Sequence, residues 1–207
     1  MIEIDQIDHL LKELFPICRS LTGEGNRKTL SLLNNITPLE IHEVPSGTDV
    51  FDWKVPDEWS IREAWIKDED GNEIINFKIS NIHVLNYSDA IDKEISFLEL
   101  KDHVFTLESF PEAIPYRTSY YDRRWGFCMS HNQWKSLDQT KEYHVYIDSD
   151  FNKNGSLTYA TALKSGTSEK EILLSSYCCH PSLANDNLSG LIASVLLFKE
   201  LQKRDTF

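Results

Sequence analysis

Cys178-Cys179-His180-Pro181-Ser182-Leu183-Ala184-Asn185-Asp186-Asn187-Leu188-Ser189-Gly190 is the stretch on which the reading of this chain turns. The run before it, Glu171-Ile172-Leu173-Leu174-Ser175-Ser176-Tyr177, is short, apolar and bounded by turn formers, which predicts a buried strand. The run after it sets Leu188, Leu191, Ile192, Val195, Leu196 and Leu201 on one stripe, which predicts a helix over 188–203. The stretch therefore joins a strand's carboxyl end to a helix's start, where open α/β sheets gather their ligands. An imidazole and a carboxylate placed there suit a divalent cation, zinc first. The plainer account is that Asp186 or Asn187 caps the helix and His180 is a loop histidine before a proline. Against it, the pattern commits two polar side chains, a proline and two small residues to a turn that needs one cap.

Ala184-Asn185-Asp186-Asn187-Leu188-Ser189-Gly190 resembles the signature of the co-catalytic zinc aminopeptidases, a family that includes glutamate carboxypeptidase-like enzymes. It is most similar to the aminopeptidase-like proteins linked to bacterial polysaccharide biosynthesis. Pro16-Ile17-Cys18-Arg19-Ser20-Leu21-Thr22-Gly23 and Trp125-Gly126-Phe127-Cys128-Met129-Ser130-His131 resemble the same subgroup, so the likeness spans nearly the whole chain. The resemblance implies that His180 is a terminal metal ligand and that Asp186 bridges two zinc ions. It also implies that Gly190 lets the helix start pack close to the sheet.

Two departures stand out. The family places an aspartate two residues after the ligand histidine, to orient the site, and here that position is Ser182. The family's general base is a glutamate on a later strand, followed at once by a glutamate ligand, with further ligands beyond. Only seventeen residues follow Gly190, all reading as one helix, so the general base is expected beyond Phe207 and the chain reads as cut within its catalytic domain. Alone, it is expected to bind metal weakly and to be inactive.

The net charge of −12 argues against a nucleic-acid partner, which calls for a basic face. The acidic, amphipathic start Met1-Ile2-Glu3-Ile4-Asp5 is no signal peptide, and no window is apolar for long enough to span a bilayer. Cytoplasmic residence is the expectation. Cys18, Cys128, Cys178 and Cys179 are too few and too irregularly spaced for a disulfide framework and read as reduced packing residues.

Composition divides the chain into an α/β part over 1–45 and 137–207 and an inserted β-rich domain over 46–136. The fold class expected is α/β, a three-layer zinc-exopeptidase-like domain, incomplete, carrying that insertion. Residues 4–15 have helical spacing with Pro16 as the stop, Leu30, Leu32 and Leu33 suggest a second helix, and 39–44 alternate as a strand. Ile61–Lys67 and Glu73–Ile79 flank Asp70-Gly71-Asn72 and read as a hairpin; 132–137 is a brief helix candidate. The tryptophans at 53, 59, 65, 125 and 134 read as core rather than as a sugar- or peptide-contacting surface. Arg117, Arg123 and Arg124 read as surface ion-pair partners before they read as a clamp for an anionic substrate end. Asp150–Gly155 matches the first half of a calcium loop, but Thr161 stands where the closing glutamate belongs, and a tight hairpin turn is the better account. The histidines at 9, 42, 83, 103, 131 and 144 read as ordinary surface or satisfied polar positions.

The leading expectation is thus a two-zinc hydrolase acting on a peptide or amide beside a free amine. A non-catalytic binding module in polysaccharide biosynthesis is the alternative, and a single-zinc amidase a third. With one side of the last helix left uncovered, the chain is expected to self-associate.

Overall fold

The computed structural model describes residues 4–204, and the chain folds as two compact units, one of residues 1–58 and 153–207, the other of 59–152. Composition had put the changes near 46 and 136; strand pairing sets them elsewhere. The long strand β9 (Glu142–Asn152) pairs antiparallel with β6 (Ile91–Ser96), which places it in the middle unit.

In the discontinuous unit, α1 (Ile4–Leu14) turns its apolar stripe inward through Leu10 and Leu14 and ends before Pro16. Helix α2 (Glu24–Asn34) begins after Gly23, whose φ of 104° belongs to the left-handed region that glycine tolerates. Strand β1 (Glu40–Pro45) pairs antiparallel with β10 (Ser156–Thr161), and β2 (Asp49–Val50) with β3 (Trp53–Lys54). The last helix, α5 (Ser189–Gln202), buries Leu191, Ile192, Val195 and Leu196 in one cluster with Leu10, Leu14, Ile17 and Leu33. The apolar side of this helix, expected to be left open, is therefore covered.

Two local expectations are overturned. Residues 171–177 form no strand, and Ile172 and Leu173 are 82% and 87% exposed. A strand exists only where a neighbour takes up its N–H and C=O groups, and among the described residues this run has no ladder partner. Asn152–Ser156 is likewise no hairpin: β9 pairs with β6, and β10 with β1. Asp150 lies inside β9, so the calcium-like spelling falls partly on a strand.

The middle unit is built on a sheet ordered β5-β4-β9-β6, with β4 at Glu58–Asp68 and β5 at Glu73–Asn76. Strands β4 and β5 form the hairpin around Asp70-Gly71-Asn72, with Trp65 opposite Asn76. Alternation sends Ala64, Ile66, Ile75, Ile95, Tyr143, Val145 and Ile147 to the buried face. Against that face pack Phe97 at the start of α3 (Phe97–Leu100), Val104 of β7 (Val104–Phe105) and Phe127 of β8 (Phe127–Cys128), which is parallel to β7. Helix α4 (His131–Ser136) opens on a capping box between Ser130 and Gln133, and its Trp134 stacks on Phe97 at 4.7 Å. Among the described residues no helix is long and apolar enough to cross a membrane. The fold is a mixed α/β one with small sheets.

Candidate metal centre

The turn before α5 has an irregular backbone. Residues Ala184–Leu188 wind loosely, with Asp186 at φ −125°, ψ 82° and Asn187 at φ −143°, ψ 32°, outside the helical region, and the Asp186–Asn187 peptide is cis. Asp186 does not cap the helix by a side-chain hydrogen bond. Its carboxylate turns back toward the preceding segment instead. Asp186 Oδ1 lies 3.6 Å from His180 Nδ1 and accepts a hydrogen bond from the Tyr177 hydroxyl. The Tyr177 ring stands edge-on to the imidazole, with centroids 5.6 Å apart and planes at 88°.

That spacing can be tested against a cation. Two ligand atoms each about 2.0–2.2 Å from one zinc in tetrahedral geometry stand about 3.4 Å apart. The observed 3.6 Å is within a small adjustment of that value. A carboxylate also keeps lone pairs beyond the one that Tyr177 engages. The pair fits one divalent ion. It does not close a site: among the described residues no three His, Cys, Asp or Glu side chains are grouped to hold a metal.

Burial raises the thiol of Cys179 to about 11, and the nearby Asp186 charge adds to it; burial likewise raises Cys178 to about 11 and Cys18 to about 12. Thiols so protonated at neutral pH are poor nucleophiles, and all four cysteines are free. The phenol of Tyr177 is raised above its usual range by the carboxylate it donates to, so it stays a donor.

The His180 segment is held from behind. Arg19 Nε donates to the His180 carbonyl at 3.0 Å, and the Ser182 hydroxyl donates to the Phe15 carbonyl at 3.0 Å. Ser182 has φ +44°, an uncommon conformation for a residue with a side chain. Position 182 therefore supports the loop through a backbone acceptor and gives the imidazole no carboxylate. Gly190 also differs from expectation. A side chain there would meet Asn187 Oδ1 at 2.3 Å, so this glycine makes room for Asn187, whose Nδ2 donates to Ser176 at 2.9 Å.

Tyr177 and Arg19 were missed as site residues. Tyr177 precedes His180 by three residues, and a phenol so near a candidate ligand was the available signal. Arg19 had a weaker one, a cation inside the half-apolar segment Pro16–Gly23. The other candidates lie elsewhere. Arg123 pairs with Asp89 and covers the Phe151 ring at 3.6 Å, and Arg124 sits over Phe105. Trp59 is buried and donates to the Ser88 carbonyl, and Trp125 stacks on His103 at 3.5 Å. His83 is buried with Nδ1 at 2.8 Å from the Cys128 carbonyl, and burial lowers its pKa.

A Clostridium acetobutylicum protein named "Putative polysaccharide biosynthesis protein with aminopeptidase-like domain" is 46% identical over 201 residues, covering 97% of this chain and 46% of its own length. A crystal structure titled "putative peptidase" from the same organism superposes with a TM-score of 0.93 at 46% identity, over 97% of this chain and 47% of that one. The chain thus spans about half the length of the relatives it matches, and both names point to a peptidase-like domain. With its residues 8–207 matching the family model, the chain belongs to the family described as "Domain of unknown function (DUF4910)".

Proposed function

We propose that this chain carries the His180–Asp186 part of a zinc-exopeptidase-like centre, in a three-layer α/β domain interrupted by the β-rich unit. The whole protein would hydrolyse a peptide or amide bond beside a free amine. The observation that carries the proposal is the 3.6 Å approach of His180 Nδ1 to Asp186 Oδ1 at the mouth of α5. The aminopeptidase-like name of the Clostridium relative supports it.

Zinc, when bound, supplies Lewis acidity and a bound water acidic enough to attack at neutral pH. His180 would hold one of two ions through its neutral imidazole, and Asp186 would bridge both. Tyr177 would hold the Asp186 carboxylate in place by its hydroxyl. Substrate would be a small peptide or amide rather than nucleic acid or membrane, in keeping with the net charge of −12. Cytoplasmic residence goes with the free cysteines.

Zinc titration of the 207-residue chain near pH 7, followed by calorimetry or by the histidine NMR signals, tests this assignment. His180→Ala and Asp186→Asn should each weaken binding at least tenfold while the far-UV spectrum stays unchanged. Equal zinc affinity in the parent and both variants would refute it.

A further inference from the structure

The segment Pro16–Gly23, whose sequence resembles the same protein group, supplies none of the metal-binding side chains proposed above. Its central residue, Arg19, is nevertheless one of the most deeply buried large side chains in the chain, at 2% exposure. Its guanidinium makes two hydrogen bonds at once: Nη1 donates to the Leu14 carbonyl at 2.6 Å, and Nε donates to the His180 carbonyl at 3.0 Å. One acceptor lies at the end of α1. The other belongs to the residue whose imidazole faces Asp186.

Arg19 is itself fixed. A Cβ on Gly25 would stand 1.9 Å from the Cys18 carbonyl oxygen, so the start of α2 lies directly against the backbone that carries Arg19. Asn26 Nδ2 holds the next two carbonyls, donating to Ser20 at 2.7 Å and to Leu21 at 3.3 Å. The Ser182 hydroxyl ties the far side of the His180–Ser182 turn to the Phe15 carbonyl. The imidazole thus projects from a backbone gripped at both ends.

We propose that Arg19 is a positioning residue for the metal centre, its buried guanidinium fastening the His180 backbone to the end of α1 so that the imidazole meets Asp186. The role rests on the assignment of His180 and Asp186 as ligands. The planar guanidinium presents several donors in a fixed fork and so reaches two carbonyls together. A lysine ammonium at the same place is a single point and satisfies one of them well. Once the backbone is fixed, only the two side-chain torsions of His180 remain to be set, and the Tyr177 ring stands against them.

The test uses the 207-residue chain, labelled with 15N at histidine, as Arg19→Lys, Arg19→Gln and, for comparison, Arg27→Lys, whose guanidinium serves Glu43 and Glu58. Two quantities are read: the His180 ring correlations without metal, and zinc affinity. Arg19→Lys should keep the fold by circular dichroism, broaden or double the His180 ring signals before metal is added, and weaken zinc at least fivefold. Arg27→Lys should change neither. A single sharp His180 signal and parental zinc affinity in both Arg19 variants would overturn the proposal. Loss of fold in Arg19→Lys would do so too, since that marks a purely structural arginine; if only Arg19→Gln unfolds, the lysine variant decides. Should the parent chain take up no zinc through His180, the ligand assignment fails, while the metal-free ring signals still report whether Arg19 orders that imidazole.

Discussion

A methyl group at position 25 would lie 1.9 Å from the Cys18 carbonyl oxygen and 2.7 Å from its carbon, both backbone atoms that cannot swing aside. Two effects oppose each other in Gly25→Ala. Helix propensity favours alanine by roughly 0.5–1 kcal/mol, and forcing an atom into close-packed backbone costs roughly 1–3 kcal/mol. Overpacking wins, so Gly25→Ala should lower stability by about 1–2 kcal/mol in a denaturant titration; a gain would mean that α2 shifts freely. Nothing in the local sequence singles out Gly25, because a close approach between segments leaves no trace in local pattern. The same holds for Arg19 and Ser182, whose partners are the carbonyls of His180, Leu14 and Phe15. Any residue type supplies a carbonyl, so such contacts are silent in sequence. The approach of His180 to Asp186 could be anticipated because the two lie six residues apart around one turn.

Within the discontinuous unit, a polar cluster joins β1 and its partner β10 to α2 and to Glu58. Arg27 reaches Glu58 through both terminal nitrogens and Glu43 through Nε at 3.0 Å, while Ser156 and Thr158 donate to Glu43. The Arg27 hydrogen bonds hold the Glu58 carboxyl below its usual range, against a smaller opposing effect of burial. At Glu43 burial is the largest single influence and pushes upward, but the combined hydrogen bonds of Ser156, Arg27 and Thr158 outweigh it and the net direction is down. A carboxylate with a depressed folded-state pKa contributes stability that is complete above its unfolded value, near 4.5, and lost as pH falls through the lower folded value. Arg27→Met should therefore cost about 2 kcal/mol at pH 7, less than for a fully buried pair because Arg27 is 29% exposed. It should also flatten the stability profile below about pH 4.5; an unchanged profile would show the cluster to be ornamental. At this scale the sequence was informative wherever an element satisfies itself: the stripe of α1, the hairpin of β4 and β5, and the capping box of α4 all follow from local spacing. It misled at 171–177, where an apolar run becomes a strand only if another strand meets it.

The whole chain sets an acidic surface against an exposed apolar stretch. Leu163, Ile172 and Leu173 are 84%, 82% and 87% exposed, with Leu174 and Tyr177 about half exposed in the same region. The backbone of 171–177 joins no ladder among the described residues, so this stretch offers both apolar side chains and open hydrogen-bonding groups. Self-association was expected from an uncovered side of α5. That side is packed by Leu10, Leu14 and Leu33, and the 163–177 stretch is the better candidate to drive it. A net charge of −12 opposes contact between copies, but only over the Debye length, about 8 Å at physiological salt. Apolar burial at about 25 cal/mol per Å² is not screened at all. Raising salt should therefore strengthen association of the 207-residue chain, with the scattering mass rising between 20 and about 300 mM sodium chloride as repulsion is screened. Ile172→Lys with Leu173→Lys should abolish that rise, by removing two large apolar side chains and adding two charges, while the far-UV spectrum stays unchanged. A chain that remains monomeric at high salt, or a double variant that associates like the parent, would place the driving surface elsewhere.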